Sequence, residues 1–391
     1  MKGFYILNNL LVKIDEKIVF NFLLIIWILS IPFKNAIFQG SISLLIIFFV
    51  FYIFKTKNFS ILKENLIRTK FLAIGFFSII LCMIISNLIN TEYLTSKSWH
   101  ATFMFFVRYG IIFIVLAYFY KLNFFTKKTI LSALLGAFLL LMFTGFYEII
   151  TNPLVLSQND GIKGSLDYRN AFGLSMGIAV VFSFYLLNFK KNLALLLIPI
   201  FVFFMIFSYS RSSWVASSAS FLVFILVNKD KLKISHLFYF LLFLLFVFIL
   251  YFSFDTFQHR FHQLLEGDSS YRFQIWSYTL EFIKEKIFFG YGMHSWSNLP
   301  NTFLNGHADA HNSILEILVY TGILGLLASL FTIFVVLYKI YQTKNFIFFP
   351  MATYFLVVTQ FDFTAYGSKE LLSYLTLFVF FVYSEEFKSK I

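Results

Sequence analysis

Charge is what this chain has least of: 13% of its 391 residues are Asp, Glu, Lys or Arg, about half the share of an ordinary soluble domain. With 60% of the residues hydrophobic, there is too little polar surface to face water, and the composition reads as an integral membrane protein. Cysteine is nearly missing as well. Cys82 is the only one and lies inside an apolar run, which excludes a disulfide framework and a thiolate metal site and leaves the redox compartment open. The N-terminal lysines and first apolar run are followed by no small-residue cleavage site, so an uncleaved first helix is expected. No internal repeat is visible, which counts against the inverted-repeat transporters. Phenylalanine is plentiful, at 59 residues, but this is what an AT-rich coding bias deposits on lipid-facing positions, and no function is read from it.

Apolar runs of about 16 to 22 residues match the length a ~30 Å hydrocarbon core requires. They fall at residues 18–33, 37–54, 71–90, 101–120, 130–150, 171–188, 193–209, 214–228, 236–254, 312–338, 346–361 and 371–384. The expected fold is therefore an all-α polytopic membrane protein with about twelve transmembrane helices, residues 1–391 forming a single membrane domain. Alternating the connections places Lys55, Lys57, Lys63, Arg68, Lys70, Lys121, Lys127, Lys128, Lys190, Lys191, Lys229, Lys231 and Lys233 on the same side as both termini. The positive-inside rule makes that side cytoplasmic. The net charge of +12 is thus a topology signal and not a nucleic-acid footprint.

The opposite side, expected to be periplasmic, carries two substantial loops, residues 151–170 and 255–311. The second is long enough to count as a functional insertion. Within it Phe273, Trp276, Leu280, Ile283 and Ile287 recur at helical spacing around Glu281, Lys284 and Glu285, and Gly290 and Gly292 mark the stop. An amphipathic helix is expected there, lying on the outer membrane surface or packed on the bundle.

Several polar residues on that side have chemistry to offer. Arg211, in Ser208-Tyr209-Ser210-Arg211-Ser212-Ser213-Trp214, sits at the tip of a tight hairpin. There it either forks onto a phosphate or anchors at the interface beside Trp214. Arg272 opens the amphipathic helix, where it opposes the helix dipole unless an anion joins it; a local pair with Asp268 is the alternative. His311 ends the set His307-Ala308-Asp309-Ala310-His311. It suits a general base for a sugar hydroxyl, a metal site on an extended segment, or a structural histidine. Asn312 and Glu316 share one helix face just inside the membrane, and Glu316 should face the bundle, toward substrate or an arginine. Gly322 and Gly325 permit close helix approach. Arg108, in mid-span, needs an acid such as Glu148 or an anionic ligand.

The run His311-Asn312, nine residues, Gly322, two residues, Gly325 resembles the signature of the O-antigen ligase family: His, then Asn, Ser or Gln, nine variable residues, Gly, two more, Gly. Arg272 to Trp276, Phe288 to Gly292, Ser210 to Trp214 and Asn170 to Gly173 are similar to the same family's approach to that signature. Leu326 departs from the Thr or Val that often follows the second glycine. The resemblance spans roughly residues 165–330. It implies a fold similar to the polytopic lipid-dependent glycosyltransferases. The implied activity is inverting transfer of O-antigen glycan from undecaprenyl diphosphate to the lipid A core of lipopolysaccharide, with neither metal nor cofactor. It would occur at the periplasmic face of the bacterial inner membrane. Arg211 and Arg272 would bind the donor diphosphate and His311 would deprotonate or orient the acceptor hydroxyl, with Asn312, Glu316 and Arg108 as further substrate contacts. An O-antigen polymerase or a protein O-oligosaccharyltransferase would share the donor chemistry. A carrier of lipid-linked glycan would use the arginines without catalysis.

Overall fold

A backbone away from water has to satisfy its own hydrogen bonds, and helices do so within one segment. The computed structural model describes residues 15–33, 35–157, 160–231, 234–267, 271–299, 309–362 and 366–388, and among them every regular element is helical. The helices are α1 (Glu16–Ser30), α2 (Asn35–Thr56), α3 (Phe59–Arg68), α4 (Lys70–Ile89), α5 (Ser98–Lys121), α6 (Lys127–Thr151), α7 (Arg169–Leu186) and α8 (Lys191–Phe207). They continue with α9 (Arg211–Val227), α10 (Ile234–Ser253), α11 (Asp255–Leu265), α12 (Arg272–Glu285), α13 (Ser313–Gln342), α14 (Phe349–Val358) and α15 (Lys369–Lys388).

The chain is an all-α polytopic membrane protein, but the expected spans are not of equal standing. Six helices, α2, α4, α5, α6, α7 and α13, are long and apolar enough to cross a membrane, while α8, α9, the second half of α10 and α14 are shorter apolar helices. The expected spans 18–33 and 371–384 are helical too, as α1 and α15. The short helix α3 was not foreseen. Helix α13 packs along α4, α9 lies between α7 and α14, α8 lies against α7, and α15 runs beside the second half of α5.

Two interruptions shape the bundle. In α5 a π-helical turn spans Phe106–Ile111, and the Arg108 carbonyl accepts a 3.0 Å bond from Thr376 Oγ1. In α13 the helix breaks at Gly322, whose φ of 65° and ψ of −166° belong to a region essentially open to glycine alone. The carbonyls of Val319 and Tyr320 then accept from Tyr291 N at 2.6 Å and Gly292 N at 3.2 Å, and Ile323 N donates to Ile287 O at 2.8 Å. The chain after α12 is thus stitched into the break, with Ser86 Oγ bonded to both Phe289 O and Tyr320 O. A Cβ on Gly322 would stand 2.2 Å from Phe288 O.

Helix α12 forms where the amphipathic pattern placed it, and its buried face overlaps the expected one only in part, at Ile283 and the partly buried Trp276. Ile275, Thr279, Phe282 and Ile283 are buried, joining Tyr291, Trp296 and Ile317 in a second apolar cluster, while Phe273 and Leu280 of the expected face are 62% and 47% exposed. The helix is apolar on two sides, and the side that meets α13 wins the core.

Candidate active site

Three helices at one end of the bundle begin on arginine: Arg169 opens α7, Arg211 opens α9 and Arg272 opens α12. Lys369 opens α15 in the same way. A cation in the first turn opposes the helix dipole by about 0.3–1 kcal/mol, so repeated placement there needs a compensating reason. The backbone pays a further cost nearby. Tyr209, Tyr271 and His311 all have positive φ, at 53°, 66° and 50°, and each such non-glycine residue costs on the order of 1–3 kcal/mol.

The local folding that holds His311 is legible bond by bond. Asn312 caps α13, its Oδ1 accepting from Leu315 N at 3.0 Å, while its Nδ2 donates to Gln360 O at 3.1 Å. Ser313 N donates to Thr359 O at 2.8 Å. These bonds clip the start of α13 to the end of α14 and bring Asp362 to His311. The imidazole Nδ1 lies 3.2 Å from Asp309 Oδ1 and 3.6 Å from Asp362 Oδ1. The backbone N–H of His311 donates to Asp309 Oδ1 at 2.7 Å. Ser212, next to Arg211, donates its hydroxyl to Asp362 Oδ2 at 3.2 Å. Trp276 Nε1 ties α12 to Ala310 O at 2.9 Å.

The electrostatics follow from this packing. Asp362 raises the basicity of His311; burial works against it, Asp309 works with it, Arg272 opposes, and the net pKa lies above the ordinary imidazole value. Burial pushes the Asp309 carboxyl up, with His311 and Arg272 pulling the other way. The charges of Asp160, Asp362 and Arg272 reach Arg169. Tyr168 faces Glu370, Asp362, Asp309 and Asp167, and burial together with these carboxylates pushes its phenol up. With Nδ1 facing two carboxylates, Nε2 is the ring nitrogen left to meet a substrate.

Of the residues singled out in the sequence, Arg272 lies close enough for its charge to act on His311, and Arg211 adjoins through its neighbour Ser212, bonded to Asp362. Asn312 spends its amide on capping and clipping. Glu316 does face the bundle, 3% exposed, with Tyr320 as its hydrogen-bonding neighbour in place of an arginine. Arg108 is not paired with Glu148, whose carboxylate accepts from Lys163 N at 2.9 Å and Gly164 N at 2.6 Å; the carboxylate whose charge reaches Arg108 is Glu370. Trp214, close to Arg211 in sequence, is buried with its Nε1 bonded to Met205 O at 3.1 Å. Asp268 and His307 lie outside the described residues, and among the described residues no three His, Cys, Asp or Glu side chains group as a metal site. Asp362 and Arg169 were missed. Nothing in the local pattern marks Asp362, whereas Arg169 stands immediately before the Asn170 to Gly173 motif.

Fold and site together define a multi-pass membrane protein with a histidine, carboxylates and helix-opening arginines gathered at one end of the bundle. Residues 193–330 match the model of a protein family described as O-antigen ligase, which bears out the family resemblance over that stretch. The matched segment holds Arg211, Arg272, His311, Gly322 and Gly325, and leaves Arg108, Arg169 and Asp362 outside. None of the curated proteins matches the chain.

Proposed function

We propose that the protein is an O-antigen ligase: a glycosyltransferase that moves glycan from undecaprenyl diphosphate to the lipid A core at the periplasmic face of the bacterial inner membrane. The reading is carried by one observation, His311 held with Nδ1 toward Asp309 and Asp362 beside Arg272. In this reading Nε2 takes the proton of the acceptor hydroxyl as its oxygen bonds to the anomeric carbon, worth about 10²–10⁴ in rate. The bond from that carbon to the diphosphate breaks and the diphosphate leaves with the electron pair. Negative charge grows on the leaving group, so arginines fixed at helix starts favour the transition state over the ground state. Arg211, Arg272 and Arg169 would do the work a cation does elsewhere, and a single in-line displacement inverts the anomeric carbon. The clustering of lysines at the other ends of the helices, with the positive-inside rule, favours cytoplasmic termini.

The test is mass spectrometry of lipid A core after incubation of the purified protein with undecaprenyl diphosphate glycan in chelator, with His311→Ala in parallel. A glycan-sized gain from wild type alone is expected. Longer lipid-linked glycan, or a glycosylated protein, would move the chain to the polymerase or protein-glycosylating relatives; no covalent product would leave a carrier.

A further inference from the structure

A second cationic pair stands apart from the His311 cluster. Arg108 Cζ and Lys369 Nζ both lie over the ring of Phe38, at 5.8 Å and 5.7 Å from its centroid. The ring itself is fully buried. Two like charges thus share one aromatic side chain, from helices that are far apart in sequence. Arg108 lies roughly three turns of helix, about 15 Å, below Ser98 at the start of α5, and the bond from Thr376 to its carbonyl fixes α15 alongside.

The counter-charge is incomplete. Glu370 Oε1 is 3.3 Å from Lys369 Nζ, and the two side chains are 5% and 10% exposed; Ser368 Oγ donates to Glu370 Oε2 at 3.3 Å. Lys369 also donates to Phe33 O at the corner between α1 and α2. Arg108 Nε is buried without a hydrogen-bond partner. One carboxylate against two cations leaves a positive charge in excess inside a membrane-embedded bundle, where unbalanced charge is costly and marks a binding function. A guanidinium fork beside a point-like ammonium suits a phosphate.

We infer that Arg108 and Lys369, with Glu370 as the tuning carboxylate, form a second anion subsite that binds a phosphate group, separate from the arginines around His311. The charges of both Glu370 and Asp362 reach Tyr168. The subsite is read by binding alone, so it stands or falls independently of glycan transfer.

The full-length protein in neutral detergent is titrated with phosphatidic acid, with inorganic diphosphate as the soluble source of the same chemistry and phosphatidylcholine as the zwitterionic control, and binding is read by native mass spectrometry. Arg108→Gln and Lys369→Gln should weaken anion binding at least tenfold, and Glu370→Gln should tighten it, an increase that misfolding does not produce. Each variant is compared in an Arg211→Ala, Arg272→Ala background, which removes the diphosphate contacts already assigned to the arginines around His311. Saturation by phosphatidic acid alone identifies a lipid headgroup as the source, and saturation by diphosphate alone a soluble phosphate. Wild-type binding in both Arg108→Gln and Lys369→Gln, or weaker binding in Glu370→Gln, overturns the subsite.

Discussion

The two ends of this bundle hold their cations in different surroundings. At one end Lys55, Arg68, Lys121 and Lys339 occupy the last turns of their helices, where the dipole favours them. There Lys55 meets Glu16, Arg68 and Lys121 share Glu64, and Lys339 meets Glu386. At the other end Arg169, Arg211, Arg272 and Lys369 sit at helix starts, as Lys70, Lys127 and Lys191 do at the first end, but here Arg169 and Arg272 lie within reach of the charges of Asp362 and His311. The first arrangement lowers the energy of the empty protein. In the proposed reading an anion relieves the dipole conflict of the second.

Substitutions can break that contrast, and the largest effect is expected from Arg272→Ala. Transfer should fall about 10²–10³-fold, as for loss of one preorganised donor to a developing negative charge, with the thermal midpoint unchanged or slightly higher as the dipole conflict is relieved. Lys339→Ala at the opposite end should do the reverse, leaving transfer intact. Parallel turnover and thermal denaturation assays on the two variants check both; equal losses of activity would erase the distinction. Gly322→Ala tests whether the break in α13 is part of the loop-end strain. It should destabilise by about 1–3 kcal/mol, with more for the clash at Phe288 O, seen as a lower denaturation midpoint.

Asp362→Asn sharpens the comparison through pH. Asp362 is the main reason the His311 pKa lies above its ordinary value, so removing the charge lowers that pKa. A general base works deprotonated, and activity rises as pH passes upward through its pKa. The acidic limb of kcat/KM should therefore move to lower pH in Asp362→Asn, with a lower plateau because the imidazole is a weaker base. An unmoved limb would separate Asp362 from the titration. The smallest effect belongs to Lys339→Ala itself, since a partly exposed pair contributes at most ~1 kcal/mol.

Much of this was legible beforehand, and the failures have physical causes. Apolar runs locate helices because a buried backbone has few alternatives, and all the expected runs are helical. Their bounds were legible to within a few residues for α8 and α9, while α14, Phe349–Val358, is shorter than the expected 346–361. The face of α12 was only partly foreseen, because Phe273 and Leu280 are as apolar as Ile275 and Phe282, and only the approach of α13 chooses between them. Arg272 and His311 were visible as polar residues at the edges of apolar runs. Asp362 carries no such mark: its role exists only once Thr359 and Gln360 are bonded to Ser313 and Asn312. The pairing of Arg108 with Glu148 failed for a related reason, since Glu148 finds two backbone N–H donors close at hand.

The bonds between residues 312–313 and 359–360 have an evolutionary consequence. They fasten His311 to Asp362 from behind, by one main-chain bond and one from the Asn312 amide, neither passing through residues 255–299. Changes in that loop that spare Arg272, whose charge acts on His311, and Trp276, bonded to Ala310 O, leave the histidine's footing in place while the rest of the loop varies.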